Sequence, residues 1–412
     1  MLVKRSYLAI LALVALVAFT GTSWAAESAA ATTLTDLVDV QKYNRAIHIL
    51  AMLLAGFGFL MVFVKQYGRS AATATYLLVS LAIPLYFLKN KLGILGAPSV
   101  DVDSLILGEF AAASLLICAG AVLGRLKMMQ YLLLGLLFVP AYAVNEWILQ
   151  GGGLGLIPAG LFVDTGGSIV IHAFGALFGL AAIGSLTTAR EFAAPIEADA
   201  TSDRFSMVGS MVLWVFWPSF CSALVAPVDV PRTAVNVVLA LCASTLATYV
   251  ASVGFRRKIA IADMANAALA GGVAIGSTCD KIGPAMAFVI GGLAGGLSTF
   301  GFAVLQPRLQ GRLKKVDTCG VLYLHGLPGL LGGIAAVFVV NGIARGAQVK
   351  GILLAIVISL AGGLLAGKIV SLTGRRSQPY LDEEEFLVEP DSASARSDMD
   401  NAPQRELENV NA

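Results

Sequence analysis

The sequence predicts an all-α polytopic membrane protein with eleven transmembrane helices, a five-plus-five inverted repeat with one helix added. Three observations carry that prediction. Only 13% of the 412 residues are charged while 57% are hydrophobic, against about 25% and 45–50% in ordinary globular chains, which excludes a soluble fold. Apolar segments long enough to cross a ~30 Å hydrocarbon core recur along the chain. Two of those segments, five apart in order, open with the same residue pattern. The net charge of +2 leaves no basic footprint for nucleic acid, and the 44 glycines suit helix backbones that pack closely in lipid.

From the N-terminus, residues 1–25 place Lys4 and Arg5 before an apolar run from Leu8 to Phe19 and a small-residue exit at Ser23-Trp24-Ala25. This is the pattern of a cleavable secretory signal peptide, and cleavage leaves the mature N-terminus outside the cytoplasm. A membrane domain, 26–373, follows, with spans at roughly 44–64, 72–88, 104–123, 129–149, 166–187, 205–225, 233–254, 262–279, 284–305, 319–341 and 350–372. Eleven crossings return the C-terminus to the cytoplasm. Lys and Arg concentrate on the cytoplasmic side of membrane proteins. Under this topology the inner loops hold sixteen of them, Arg256-Arg257-Lys258 and Lys314-Lys315 included, and the outer segments hold eight.

All five cysteines fall in or beside spans and none forms a Cys-x-x-Cys pair, so they read as small packing residues rather than a disulfide framework or zinc site. Residues 374–412 carry ten of the 26 acidic residues. With their Ser, Asn and Pro content they read as a disordered acidic cytoplasmic tail, for which the sequence names no partner.

The fifth span opens DTGGSIVIHAFGALFG from Asp164 and the tenth opens DTCGVLYLHGLPGLLG from Asp317. They align without a gap, so Asp164 stands to His172 as Asp317 stands to His325. Spans five apart run in opposite directions, which marks an inverted repeat about an axis in the membrane plane. Eight helical residues cover ~12 Å, so each histidine approaches the midplane of a ~30 Å core from its own side. Ionisable residues at that depth are costly and face an interior pathway. Two of the three histidines in register therefore point to one shared site. The two aspartates read first as N-caps of their helices.

A metal site needs three or four ligands, and no carboxylate or thiolate accompanies the pair at comparable depth with ligand-like spacing. Two histidines also fall short of the paired ligation of a multi-haem bundle, so neither a metal nor another cofactor is expected. Conduction of a small polar solute fits better. Neutral imidazole offers one donor and one acceptor without fixed charge. Ammonium has a pKa of about 9, so removing its proton at pH 7 costs roughly 3 kcal/mol. Carrying the bare ion through an apolar core costs several kcal/mol at least.

These two stretches, together with FSMVGSMVLWVFWPSFCSAL from Phe205, DMANAALAGGVAIG from Asp263, and VDSLILGEFAAASLLICAGAVLGR from Val102 leading to VNEWIL at Val144, resemble the ammonium transporter and Rhesus (Rh) superfamily, and within it the Rh branch. The likeness covers most of residues 100–335 in the family's order. It implies a homotrimer with one pore per protomer, lined by the twin histidines His172 and His325 and closed outward by two stacked phenylalanines, Phe110 of GEF and Phe220 of WPSF. It also implies Asp164 as the acid under the outer vestibule, with Asp317 its counterpart in the repeat. Opposed span directions put Phe110 and Phe220 both on the outer side.

The active-transporter branch has a glycine- and asparagine-rich turn around its second gate phenylalanine, with a serine and a tryptophan that recruit the cation. Here Phe220 is followed by Cys221-Ser222-Ala223-Leu224, and GGGLGLIPAGLFV without tryptophan precedes Asp164. Leu322 and Tyr323 stand where polar residues often precede the second histidine. Glu109 and Glu146, inside spans three and four, read as vestibule groups or as structural hydrogen-bonding groups.

The resulting expectation is a non-enzymatic, trimeric inner-membrane channel for ammonia, with carbon dioxide and methylammonium as further candidate solutes. The competing readings are electrogenic uptake of ammonium or methylammonium, an ammonium sensor signalling through the tail, and a membrane enzyme.

Overall fold

The computed structural model describes residues 34–64, 68–187, 192, 196–376 and 379–387. The expected signal peptide at 1–25 and the last part of the tail, 388–412, lie outside the described residues. Within them the chain is helical throughout. The main helices are α1 Leu34–Phe63, α2 Gly68–Lys91, α3 Asp101–Ala121, α4 Met128–Leu149, α5 Ser168–Leu186, α6 Ala200–Cys221, α7 Pro227–Arg256, α8 Ile261–Ile275, α9 Pro284–Leu313, α10 Leu322–Val339 and α11 Arg345–Ser371.

Among the described residues, nine of these are long and apolar enough to cross a membrane. The other two stand where the sixth and eighth spans are expected: α6, which opens on the polar Thr201-Ser202-Asp203-Arg204, and the shorter apolar α8.

Local chemistry sets several helix starts. Asp199 caps α6 by accepting from the Thr201 and Ser202 N–H groups at 2.9 and 2.8 Å. Proline opens α7 and α9, where its missing N–H costs nothing. In the most apolar stretches of α3 and α5, 89% and 78% of residues are buried, against 33% for α11, so α3 and α5 form the centre. At the rim, α7 and α9 approach until a side-chain carbon at Gly291 or Gly295 would lie within 2.4 Å of a backbone oxygen of α7. Exposed Met211, Val215, Leu246, Val250, Leu353 and Val357 give the apolar outer surface that a bilayer requires.

The two helices of the sequence repeat are seated reciprocally. At the entrance of α5, Gly166 N–H donates to Gly276 O at 2.7 Å, just beyond the end of α8. At the entrance of α10, Thr318 and Cys319 N–H donate to Ala121 and Gly120 O at 3.2 and 3.1 Å, at the end of α3. Each histidine-bearing helix thus begins against the broken end of the third helix of the opposite half, the relation the repeat predicts.

The expectation of a disordered tail from 374 onward is corrected for the segment that docks on the helix bundle. Tyr380 is fully buried and its N–H donates to Gly124 O at 2.8 Å. Asp382 accepts from the Arg69 and Ser70 N–H groups at 2.8 and 2.9 Å, capping α2, and Glu385 accepts from Met128 N–H at 3.1 Å, capping α4. Helix N-termini present unpaired N–H groups and positive potential, and these carboxylates satisfy both. The caps come from more than 250 positions away, so no local pattern announces them.

Candidate functional site

Both halves of the site are built the same way. Gly167 and Gly320, the shared glycine of the repeat, adopt φ of +75° and +65°. This left-handed turn, costly for any side chain, reverses the chain into each helix. Asp164 then accepts from Ile169 and Val170 N–H at 3.0 and 2.7 Å, and from Ser277 Oγ at 2.5 Å. Asp317 accepts from Val321 and Leu322 N–H at 3.0 and 3.1 Å. Both aspartates are buried caps, as the sequence pattern suggests.

Beyond the caps each helix opens into a π-helical turn, Ser168–Ala173 and Leu322–Gly326, and each turn carries its histidine. Such wide turns shift a side chain off the regular helical register and recur at functional sites. Ser114 Oγ satisfies one loosened carbonyl, Ile171 O, at 2.8 Å.

The result is direct contact between residues 153 positions apart. His172 Nδ1 and His325 Nδ1 are 3.2 Å apart, the ring planes differ by 6°, and both side chains are buried. A hydrogen bond between two ring nitrogens takes one donor and one acceptor. With both rings neutral, the donor ring keeps a bare Nε2 and the acceptor ring carries its proton on Nε2. The pair therefore offers a small solute one acceptor and one donor, in sequence, with no net charge.

Aromatic rings line the approach. On the His172 side, Phe110 and Phe220 meet with centroids 4.8 Å apart, and Phe220 lies 6.0 Å from His172. Their planes are inclined by 54°, so the phenylalanines expected to stack are in tilted contact instead. Past His325, whose ring faces Phe57 at 6.2 Å, a cavity of about 20 Å³ is lined by Phe57, Leu116, Ile117, Leu324, Asn266 and His325, among others. That is room for one water-sized molecule.

All six residues singled out from sequence lie in or beside this assembly. Two neighbours escaped the sequence reading. Trp217 lies against His172 at 5.6 Å and 20°, and Phe57 covers His325 from α1. Trp217 was findable in principle, because its i,i+3 spacing to Phe220 in WPSF puts both on one helix face. Phe57 had no such signal. Glu146 takes the structural alternative, bonding the hydroxyl groups of Tyr86 and Tyr142. Glu109 is buried with both carboxyl oxygens unpaired among the described residues. Tyr323, before His325, packs on Phe302.

A family model described as the ammonium transporter family matches residues 8–385. The chain is 36% identical over 356 residues to the ammonium transporter Rh type A of Bos taurus, covering 81% of each. It is 37% identical over 379 residues to the ammonium transporter Rh type B of Oryctolagus cuniculus, covering 83% of this chain and 79% of that one. Among solved structures, Nitrosomonas europaea Rh50 superposes with a TM-score of 0.84 at 52% identity, over 91% of this chain and all of the other. A Candida albicans Mep2 structure shares the fold at a TM-score of 0.70 and 17% identity, over 85% and 87% of the two chains.

Proposed function

The chain belongs to the ammonium transporter family as an Rh-type member, and on that premise we propose that it conducts neutral ammonia through the channel whose midpoint is the His172–His325 pair. The observation that carries this reading is the 3.2 Å Nδ1–Nδ1 contact between two buried imidazoles walled by Trp217, Phe220 and Phe57. The pair hydrogen-bonds a neutral solute and itself carries no counter-charge for a cation, whose desolvation in an apolar passage costs several kcal/mol.

In this proposal ammonium loses its proton outside the Phe110/Phe220 contact, ammonia passes the histidines, and a proton is regained inside. Asp164 contributes through its field, because its oxygens are already engaged by Ile169, Val170 and Ser277. Asp317 holds the matching helix entrance. Eleven crossings, an outer N-terminus and a cytoplasmic C-terminus fit the sixteen-to-eight distribution of Lys and Arg. The homotrimer, and carbon dioxide or methylammonium as further solutes, enter through the family premise.

An inwardly directed ammonia gradient across proteoliposomes tests the proposal. Internal alkalinisation several-fold faster than in empty liposomes supports it. Equal rates, with the protein shown to be inserted, defeat it.

A further inference from the structure

The third histidine of the chain, His48 on α1, grips the helical turn that carries Phe220. Its Nδ1 is 2.8 Å from Ser219 Oγ, and its ring stacks on Phe216 with centroids 4.8 Å apart and planes 24° from parallel. One turn earlier on α1, Arg45 Nε donates to Ala223 O at 3.4 Å. Phe216 and Ser219, at i and i+3, share one face of the end of α6, and Ala223 lies in the turn just beyond it. Trp217 and Phe220, at i+1 and i+4, share the next face, about 100° further round the helix. On that second face Trp217 lies against His172, and Phe220 meets both His172 and Phe110.

The turn needs such a grip. Pro218 stands inside it, and a proline supplies no N–H to the preceding turn and crowds its carbonyl. At the C-terminal end of α6, Ser222 Oγ donates to Pro218 O at 2.6 Å. Across helices, His48 and Arg45 bracket the turn from α1.

We infer that His48 is a positioning residue for the outer gate: through Ser219 and Phe216 it fixes the rotation of the Pro218 turn, and with it the orientation of Phe220 against Phe110. The inference rests on the reading of Phe110 and Phe220 as the gate of an ammonia pathway, and its consequence is selectivity. A gate held in register passes ammonia and retards methylammonium. A turn released from His48 lets Phe220 swing, and the ratio of methylammonium to ammonia permeability rises.

The test uses the full-length protein in proteoliposomes, with the two permeabilities measured side by side. His48→Phe keeps a ring on Phe216 and removes the hydrogen bond, Ser219→Ala removes the same bond from the other partner with minimal change in bulk, and His48→Gln keeps a hydrogen-bonding group. The ratio is expected to rise about threefold to tenfold in His48→Phe and in Ser219→Ala, the range one lost hydrogen bond spans. It should rise no further in the double variant, and stay near wild type in His48→Gln. In a Phe220→Ala background neither change should have an effect. A ratio that Phe220→Ala moves but Ser219→Ala and His48→Phe do not overturns the inference and leaves the gate standing. An effect of His48→Phe that persists without Phe220 also overturns it, as a general loss of packing. A ratio that Phe220→Ala fails to move removes the gate itself.

Discussion

Trp217 and His172 lie nearly face to face, 5.6 Å between centroids and 20° from parallel, and the indole also rests against Gly272 of α8. A side-chain carbon at Gly272 would fall 2.5 to 2.7 Å from three atoms of the Trp217 ring system, closer than any carbon contact tolerates. The wall of the histidine site is thus set by a residue with no side chain, and the first prediction follows from it. Gly272→Ala should displace Trp217 from its place against His172, lowering stability by about 1–3 kcal/mol as overpacking does. A reduced melting temperature in detergent, with lowered ammonia flux in proteoliposomes, checks this.

The shared proton of the histidine pair has its own consequence. His172→Ala leaves His325 Nδ1 buried without a partner, a loss of about 1–3 kcal/mol. Ammonia permeability should fall about fivefold to a hundredfold, since 1.4 kcal/mol is a factor of ten. His325→Ala should behave alike, and the double variant should lose little beyond either single change. Stopped-flow alkalinisation of proteoliposomes separates these outcomes.

The two halves of the repeat predict matched effects at their glycine turns. Gly167 and Gly320 hold φ of +75° and +65°, and a side-chain carbon there would also strike Ile171 at 2.3 Å or Phe302 at 2.2 Å. Alanine at either position should destabilise the protein by more than the ~1 kcal/mol a left-handed residue usually costs. Thermal denaturation of the two variants measures it.

The docked segment of the tail predicts a boundary. A chain ending at Leu387 keeps the contacts of Tyr380, Asp382 and Glu385 and serves as the reference. Removing 377–412 takes Tyr380 from Gly124, Asp382 from α2 and Glu385 from α4 and should lower the melting temperature, each lost cap contributing about 0.5–2 kcal/mol.

The pH dependence of that docking has a definite sign. The Arg376 guanidinium bonds Glu384 and holds its carboxyl below the ordinary carboxylate range. A depressed folded-state pKa gives stability that is fully present above the unfolded value of about 4.3 and lost as pH falls through the lowered one. Protease cleavage at 379–387 should therefore stay slow from neutral pH down to about 5 and accelerate only below about 4.

Much of this was legible in the residues because the informative signals are periodic or repeated. Span lengths follow from hydropathy alone, and eight residues from aspartate to histidine in two opposed helices bring His172 and His325 together. Phe110 and Phe220 were reachable only through resemblance, since one phenylalanine among twenty carries no pattern of its own. The tilt between them, the contact of Phe57 with His325, and the grip of His48 on Ser219 depend on how helices rotate against one another, which periodicity leaves open. The acidic tail shows the limit most plainly. Its composition is that of a solvated chain, yet Asp382 and Glu385 are engaged because two distant helix starts present N–H groups for them to accept.

The central claim is that the species crossing the histidine pair is uncharged. Recording charge movement on a solid-supported membrane, in the same proteoliposomes that show ammonia-driven alkalinisation, tests it most directly. The account predicts rapid alkalinisation with no sustained current at any ammonium concentration. A current that grows and saturates with ammonium, and that disappears in His172→Ala, would contradict it and favour electrogenic uptake.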